Sequence, residues 1–345
     1  FRFLLQLGFQ QQTTLLLAAL YACLPVFAHT VGWIPARGDL YLTLFGLATL
    51  SFALQYHDTG LAKHLAATFV FFTLAMLAKE TAIMLLPMMA LLLYVRNPSY
   101  NIATQMRKLV WMAGFAIPLA LYIYLRSKSV ASTGFVGFHA LLYNWPTIPE
   151  SLFKFFVPFN FTVLPFYETW RTIGGIVILI GLLAAVWKFA SANYRLALLG
   201  IAFWLLPLLP SLAYQPNFSG FAYDYLDHRM FLCGIGLLIT LGTVIEPLLQ
   251  QFKKQTTIAI AVICLLQGGF AWSHINSYRD YTHYYNNAFE TSPRSGLAIL
   301  NYAMLLRGKE QKYQEAIELL NKGLAMYPDS FMYYNEKAFN YYLLQ

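Results

Sequence analysis

Residues 172–189, TIGGIVILIGLLAAVWKF, decide the class of fold, because they form one apolar run with a single charged side chain, Lys188. A helix needs about 20 mainly apolar residues to cross the hydrocarbon core of a bilayer, and this run comes close to that length. Runs of the same kind lie on both sides of it along the chain. The sequence therefore predicts an all-α, polytopic membrane protein.

The composition agrees with that prediction. The chain has 345 residues, of which 59% are hydrophobic and 11% are charged, whereas soluble domains average about 25% charged residues. Charged residues are sparse over residues 1–274 and about twice as frequent over 275–345. We predict a transmembrane domain over 1–274 followed by a soluble helical segment over 275–345. A soluble enzyme, a disordered chain and a disulfide-rich secreted module are excluded, and no zinc motif accompanies the three cysteines.

Seven apolar runs are long enough to predict one membrane span each. They lie near residues 13–28, 39–55, 109–125, 172–189, 196–213, 230–246 and 257–274. Two shorter runs, 64–78 and 81–95, are separated by Lys79 and Glu80, and we interpret them as two short spans. The sequence thus predicts about nine spans.

The basic residues predict the orientation, since cytoplasmic loops collect lysine and arginine. Alternate loops of the nine-span arrangement carry nine basic and two acidic residues on one side, and seven basic and six acidic residues on the other. The first side is therefore predicted to be cytoplasmic, which places the C-terminal segment on the non-cytoplasmic side. We expect an integral membrane protein, of a bacterial inner membrane rather than the endoplasmic reticulum. The net charge of +8 lies wholly in the membrane part, so it does not indicate nucleic-acid binding.

The long outer segment, 127–171, contains the aromatic stretch SLFKFFVPFNFTVLPFY, which two prolines interrupt. It is too irregular for a straight span. One interpretation is an interfacial or partly re-entrant helix. The other is a loop that an aromatic belt anchors at the membrane surface.

The C-terminal segment carries a repeat pattern. Ala316, Gly323 and Pro328 have the spacing of small and helix-ending residues in tetratricopeptide repeats, and Ala303 recurs as Ala338 after 35 residues. Such arrays bury their faces with about three or more repeats. We therefore expect the natural chain to continue past Gln345, and to begin before Phe1, which is not a methionine.

Three places hold charged residues close to membrane depth, where they are costly and thus functionally suspect. They are GWIPARGDL (32–40) with Arg37 and Asp39, LAKET (77–81) with Lys79 and Glu80, and YDYLDHRMFL (223–232) with Asp224, Asp227, His228 and Arg229. An ion pair at a helix start, a structural salt link and a solvated loop are the respective structural alternatives. Helical spacing would let Asp224, Asp227 and His228 converge.

All three places are predicted on the same outer side, as a shared site requires. Asp39, Glu80 and Asp227 are candidate catalytic carboxylates. Arg37, Lys79, His228 and Arg229 are candidates for binding a lipid phosphate, since arginine grips phosphate bidentately and lysine offers a point charge. A divalent metal could also be held there, with ligands that the sequence does not identify.

At these residues the chain resembles the GT-C-type membrane glycosyltransferases with C-terminal tetratricopeptide repeats, which are similar to the transmembrane and tetratricopeptide-repeat protein O-mannosyltransferases and their bacterial relatives. Pro25, Trp33, Arg37, Asp39 and Leu40 fall in step with one family segment, LAKET with Pro87 matches the next, and DHRMFLCGIGL (227–237) resembles a third. The chain departs from the family where Leu24 replaces a common His, His29 a common Glu and Cys233 a common Pro.

The resemblance implies transfer of a sugar from a polyprenyl-phosphate donor to a hydroxyl acceptor, with inversion, on the non-cytoplasmic side. A carboxylate would take the acceptor proton, cations would neutralise the departing phosphate, and the repeats would hold a protein or peptide acceptor. The family's acidic first outer loop would precede Phe1. The alternative is a non-catalytic membrane subunit that keeps the GT-C scaffold and uses its repeats to assemble a larger complex. A transporter fits less well, because the spans show no internal repetition.

Overall fold

The computed structural model describes residues 1–97, 109–129, 134–190, 193–216 and 227–345. This part of the chain is helical apart from one short antiparallel pair of strands, β1 (Gly134–Val136) and β2 (Tyr214–Pro216), in which Phe135 lies opposite Gln215. The helices of the first half are α1 (Arg2–Gln6), α2 (Gln11–Cys23), α3 (Ala28–Gly32), α4 (Arg37–Thr59), α5 (Ala62–Ala78), α6 (Leu85–Arg96), α7 (Ala116–Ser129), α8 (Phe138–Asn144) and α9 (Thr147–Phe156).

The helices of the second half continue in the same way. They are α10 (Thr169–Phe189), α11 (Tyr194–Leu205), α12 (Leu209–Leu212), α13 (Met230–Gln251), α14 (Lys253–Ile275), α15 (Tyr281–Thr291), α16 (Gly296–Leu305), α17 (Tyr313–Met326) and α18 (Phe331–Leu343). Short 3₁₀ turns join or extend several of them, and one π-helical turn, Leu306–Glu310, follows α16.

Within the described residues, five helices, counted with the turns that extend them, are long and apolar enough to cross a membrane. They are Val110–Lys128, Thr169–Phe189, Tyr194–Leu212, Asp227–Gln251 and Lys253–Tyr278. The bent pair Gln11–Cys23 and Pro25–Gly32, with 53° between its parts, makes a sixth if it is one broken span. The described part of the chain is therefore almost wholly helical, with several apolar helices fit for a membrane, and the predicted count of nine spans is not confirmed.

The remaining predicted spans form helices that are more polar or shorter. The helix α4 has 23 residues, but Arg37, Asp39 and Asp58 lower its apolar content. The helix α5 has 17 residues and α6 has 12, because the chain leaves helical geometry at Lys79 and resumes with a 3₁₀ turn at Glu80–Met84.

Local chemistry explains where two of these helices end. Leu24 is extended, with φ −69° and ψ 121°, as expected of a residue that precedes proline. The chain therefore turns at Pro25 and directs α3 along the outer face. Gly60 ends α4 with φ +67°, a left-handed conformation that glycine adopts at little cost. This turn lets α5 return beside α4.

Small residues allow two membrane helices to pack closely at the centre of the molecule. Gly200 of α11 faces Gly236 of α13, and a Cβ at either position would overlap backbone atoms of the other helix. Such close approach is typical of helix pairs in membranes. The helix α13 is the most enclosed of the long apolar helices, so its first residues lie inside the protein and not in lipid.

The outer segment contains both helix and irregular chain. The helices α8 and α9 are followed by residues 157–168, in which the structure has no regular element. Most of α9 is buried against the protein, and Gly175 of α10 lies against the backbone of Pro149. The two sequence interpretations of this segment each describe part of it, since it contains a buried helix and an irregular stretch, and its position relative to a membrane remains a prediction.

The C-terminal helices form antiparallel pairs that dock on this outer segment. Ala303, Ala316 and Gly323 are buried at helix contacts, with Tyr333 against Gly323, while a tetratricopeptide repeat itself is not confirmed. Contacts of this kind are common to helical repeats of several families. The side-chain Oδ1 of Asn287 accepts a hydrogen bond from Val163 N at 3.0 Å.

Candidate functional site

Asp39 lies at the centre of a buried charged cluster. It is in the first turn of α4 and only 4% exposed. Lys79 follows the end of α5, and its Nζ donates to Asp39 Oδ2 at 2.5 Å. His228 comes from the turn before α13, and its Nε2 lies 3.6 Å from the same oxygen. Three separate helix ends thus bring one carboxylate, one ammonium and one imidazole together.

Local structure explains why these side chains meet. Lys79 has extended backbone angles, φ −163° and ψ 140°, so the chain breaks between α5 and the following 3₁₀ turn. This break turns the side chains of Lys79 and Glu80 in different directions. Neighbouring residues cannot share one partner on a helix face, and the structure agrees, since Glu80 Oε2 accepts from Arg126 Nη1 at 3.4 Å.

The accessible part of the cluster contains two cations and, at its rim, one acid. The side chain of Lys79 is 20% exposed, and Arg229 is half-buried and acts electrostatically on Asp39 and His228. Glu80 lies at the rim with its side chain 54% exposed. Lys79 and Arg229 are therefore the cations of the cluster that an approaching anion could reach, and Asp39 pairs with the lysine on its enclosed side.

A second buried ion pair lies nearby, between the outer segment and the start of α13. Lys154 Nζ donates to Asp227 Oδ1 at 2.6 Å, and their side chains are 5% and 1% exposed. Lys154 is one turn of α9 beyond Glu150, which accepts from Glu168 N and Thr172 Oγ1, both at 2.9 Å. Burial raises the pKa of Glu150 above its ordinary value.

His29 lies between the two ion pairs. It is fully buried, and among the described residues neither of its ring nitrogens has a hydrogen-bond partner. Its ring lies 4.9 Å from the ring centre of Trp33 and the same distance from that of His228. The ring of Tyr278 lies 5.3 Å away. Aromatic side chains thus link the Asp39 cluster to the beginning of the C-terminal helices.

The structure groups some of the predicted site residues and separates others. Asp39, Lys79, His228 and Arg229 come together, and Glu80 lies at their rim. Asp227 faces Lys154, so it does not converge with His228 on one partner. Arg37 is exposed at the first residue of α4 and takes part in none of these contacts. Asp224 lies outside the described residues.

Sequence reasoning did not select Lys154, Glu150, His29 or Tyr278. A signal was present for two of them, because Glu150 and Lys154 are charged residues four apart in an otherwise apolar, aromatic stretch, and intramembrane or interfacial charges merit suspicion. His29 appeared only as a departure from the family pattern. Tyr278 gave no signal, since its position depends on how α14 ends against α3.

An apolar groove lies along α5, the helix that ends one residue before Lys79. It lies between α5 and α7, has a volume of about 610 Å³ and is lined by residues such as Phe69, Leu74, Pro118 and Leu121. Gly114 lets the ring of Phe69 pack against the chain just before α7, because a Cβ there would collide with that ring. The groove extends along α5 to Leu74, about one and a half turns before Lys79.

No metal cluster completes this site within the described residues, where no three His, Cys, Asp or Glu side chains are arranged to hold an ion. No protein-family model matches the chain, and neither a curated protein nor a solved structure is significantly similar to it. The site's geometry and the residue patterns of the sequence are therefore the basis for its function.

Proposed function

We propose that this protein is a membrane glycosyltransferase that moves a sugar from a polyprenyl-phosphate donor to a hydroxyl acceptor, with inversion, on the non-cytoplasmic side of the membrane. One observation carries the proposal: the Asp39–Lys79–Arg229 cluster lies just beyond the end of α5, the same helix that lines an apolar groove as far as Leu74. A phosphate attached to a long hydrocarbon chain has matching chemistry. The proposal includes the GT-C-like arrangement of about nine spans and tetratricopeptide-like repeats outside the membrane.

The groove between α5 and α7 would hold the prenyl chain. Its lining is almost wholly apolar, and its residues lie on helices that face lipid. A hydrocarbon chain that moves from the bilayer into this groove would replace its contacts with lipid by contacts with apolar side chains. The same helix that lines the groove, α5, ends one residue before Lys79, so the phosphate of a chain in the groove would reach the cationic cluster.

Lys79 and Arg229 would stabilise the departing phosphate. In the reaction the acceptor oxygen forms a bond to the anomeric carbon, the bond from that carbon to the phosphate oxygen breaks, and the electron pair leaves with the phosphate. Cations fixed where this negative charge develops lower the barrier. Asp39 is a positioning residue in this scheme, because its carboxylate holds Lys79 at 2.5 Å and is nearly enclosed.

Glu80 would take the proton of the acceptor hydroxyl. Of the three carboxylates that the sequence singled out, Asp39 and Asp227 are each held by a buried lysine contact, whereas Glu80 is exposed and its contact with Arg126 is long, 3.4 Å. A carboxylate at the rim can meet an acceptor without separation of a buried pair. General-base assistance of this kind typically contributes 10²–10⁴-fold to the rate.

The test is transfer by the purified protein from polyprenyl phosphates that carry mannose, glucose or N-acetylglucosamine to a pool of serine- and threonine-containing peptides. We expect Lys79→Ala, Arg229→Ala and Glu80→Gln each to lower kcat by about 10²-fold or more, since each removes a transition-state interaction. Asp39→Asn should abolish transfer while the protein stays folded in detergent.

Asp58→Asn is the matched control. Asp58 is at the other end of α4, where it forms an exposed ion pair with Arg96 that resembles the Glu80–Arg126 pair at the outer end. It should leave transfer unchanged. Equal activity of wild type and the Lys79, Arg229 and Glu80 variants would overturn the site, and absence of transfer with every donor would overturn the function.

The second candidate function is a non-catalytic membrane subunit. It is favoured by one observation, the pairing of both Asp39 and Asp227 with lysine, which leaves neither buried carboxylate free to act as a base. This candidate predicts a stoichiometric complex with other membrane proteins in mild detergent. A homogeneous, active single protein would contradict it.

A further inference from the structure

A cleft opens where the C-terminal helices meet the outer face of the membrane domain. Its volume is about 430 Å³, which lies within the 300–1,000 Å³ typical of ligand pockets. One wall is formed by the tyrosines of the turn before α15 and of α15 itself, and the other by Trp33 and Leu164 of the membrane domain. Leu297 and Asn301 of α16 complete it.

Trp33 belongs both to this cleft and to the charged cluster. Its ring centre lies 5.8 Å from that of His228, and His228 in turn lies 3.6 Å from Asp39 Oδ2. The same indole forms part of the cleft lining. A molecule in the cleft would therefore lie next to the residues at which we place the reaction.

The cleft has a fixed shape before anything binds. Asp280 caps α15 by accepting a hydrogen bond from His283 N at 3.0 Å, and Asn287, farther along α15, bonds to Val163 of the outer segment. The cap thus fixes the first turn of α15, and the Asn287–Val163 bond attaches the helix to residues 157–168. Such preorganisation lowers the entropic cost of binding.

The chemistry of the lining favours a peptide. Four tyrosines contribute to the cleft: Tyr278, Tyr281, Tyr284 and Tyr285. Tyrosine supplies a large, rigid contact surface with a polar end, and it is enriched where proteins recognise other polypeptides. Asn301 adds an amide, which can pair with a peptide bond.

The charges of the lining disfavour a phosphate or a sugar as the occupant of the cleft. Among the lining residues only Asp280 carries a charge, and both of its oxygens contact His283, at 3.0 and 2.9 Å. The lining itself thus supplies no cation for a phosphate, and the nearby Lys309 lies against the Tyr281 ring and donates to Thr282 Oγ1. The acid of the lining is paired with His283. A peptide needs neither.

We propose that this cleft binds an extended peptide segment and directs a serine or threonine hydroxyl past Trp33 toward the charged cluster. The inference rests on the proposed function for the fate of that hydroxyl, but the binding itself does not depend on catalysis. It places acceptor recognition at the first helix after the membrane domain, α15, and assigns the specificity to its tyrosines.

The experiment measures binding and transfer separately on the full-length membrane protein. The probe is a pool of fluorescein-labelled decapeptides, each with a central serine or threonine, and binding is followed by fluorescence anisotropy. We expect Tyr281→Ala to weaken peptide binding about tenfold, the loss of roughly 1.4 kcal/mol. In the transfer assay the KM for peptide should rise by a similar factor, with the KM for the lipid donor unchanged.

Tyr341→Ala is the matched control. Tyr281 and Tyr341 are 56% and 50% exposed, and each has a lysine Nζ 5.9 Å from its ring centre, Lys309 and Lys337 respectively. Tyr341 lies on α18, outside the cleft, so its variant should bind peptide like the wild type.

Each result decides between the two proposals. Peptide binding that is lost in Tyr281→Ala, without sugar transfer by any form of the protein, supports the cleft and overturns the proposed function. Sugar transfer with an unchanged peptide KM in Tyr281→Ala overturns the cleft and keeps the function. Failure of the whole pool to bind the wild type, or selective binding of labelled oligosaccharides in its place, overturns the inference.

Discussion

Lys154 donates a hydrogen bond to Asp227 at 2.6 Å in a place where both side chains are almost completely enclosed. The pair joins α9, part of the outer segment, to the 3₁₀ turn that begins the most enclosed apolar helix, α13. Asp227 Oδ2 has no partner among the described residues, so the lysine carries most of the compensation for the buried charge. The structure thus depends on a contact between residues 73 positions apart in the chain.

We predict that Lys154→Met destabilises the protein by about 3–5 kcal/mol, because it leaves a buried aspartate without its cation. The double variant Lys154→Met/Asp227→Leu should recover most of this loss, since replacement of both members of a buried pair by apolar residues is often nearly neutral. The measurement is the free energy of unfolding in mixed micelles titrated with SDS. Arg96→Met, which removes the cation of the exposed pair with Asp58, should change little. Additive losses in the double variant would show that the two side chains are not coupled.

Two glycines of α10 provide a matched test of the outer segment's packing. A Cβ on Gly175 would overlap the carbonyl oxygen of Pro149, whereas at Gly181 nothing lies within 4 Å. Gly175→Ala should therefore push α9 away and destabilise the protein by about 1–3 kcal/mol. Gly181→Ala should be neutral or stabilising by about 0.5–1 kcal/mol, because alanine is the better helix former. Thermal unfolding in detergent measures both, and equal effects would mean that α9 does not lie against Gly175.

The raised pKa of Glu150 predicts that the stability of the protein depends on pH. Burial raises its pKa, and the nearby Lys154 and the hydrogen bonds from Glu168 and Thr172 offset this only in part. Between the ordinary value of 4.5 and the raised one, the folded state binds more protons than the unfolded state, so stability falls as pH rises through that window. Glu150→Gln keeps an oxygen that can accept both hydrogen bonds but does not titrate. The stability of the wild type relative to this variant should thus decrease as the pH rises above 4.5, and a parallel or rising difference would contradict the prediction.

The sequence predicted the positions of helices better than it predicted which side chains contact each other. The apolar runs place α10, α11, α13 and α14 close to where they occur, because hydropathy over about 20 residues is a property of the local chain. The three charged segments also contained Asp39, Lys79 and His228, since charge at membrane depth is conspicuous. The sequence did not predict which charged residues form ion pairs. Asp39 pairs with Lys79, 40 residues away, and not with its neighbour Arg37. Such contacts depend on how helix ends are arranged in three dimensions.

The outer segment illustrates the same limit. Its aromatic residues and prolines indicated a position at the membrane surface, but no local pattern shows that α9 is buried or that Lys154 reaches Asp227. The role of Tyr278 depends in the same way on the 3₁₀ turn at the end of α14 and on its approach to His29. Residues whose role comes from long-range contact were the ones that sequence reasoning did not find.

The orientation of the chain gives the last prediction. Because alternate loops differ in basic residues, Lys63 should face the cytoplasm and Tyr334, which is exposed on α18, should lie outside. In a variant whose three native cysteines are replaced by alanine, a membrane-impermeant maleimide added to spheroplasts should label Tyr334→Cys at once and Lys63→Cys only after the membrane is opened. The proposed chemistry requires this result, because Lys79 lies at the opposite end of α5 from Lys63 and the tyrosine cleft lies on the side of the C-terminal helices. Labelling with the opposite pattern would place the cluster at the cytoplasmic face, where a donor presented on the outer side could not reach Lys79. The cleft beside α15 would then meet cytoplasmic polypeptides.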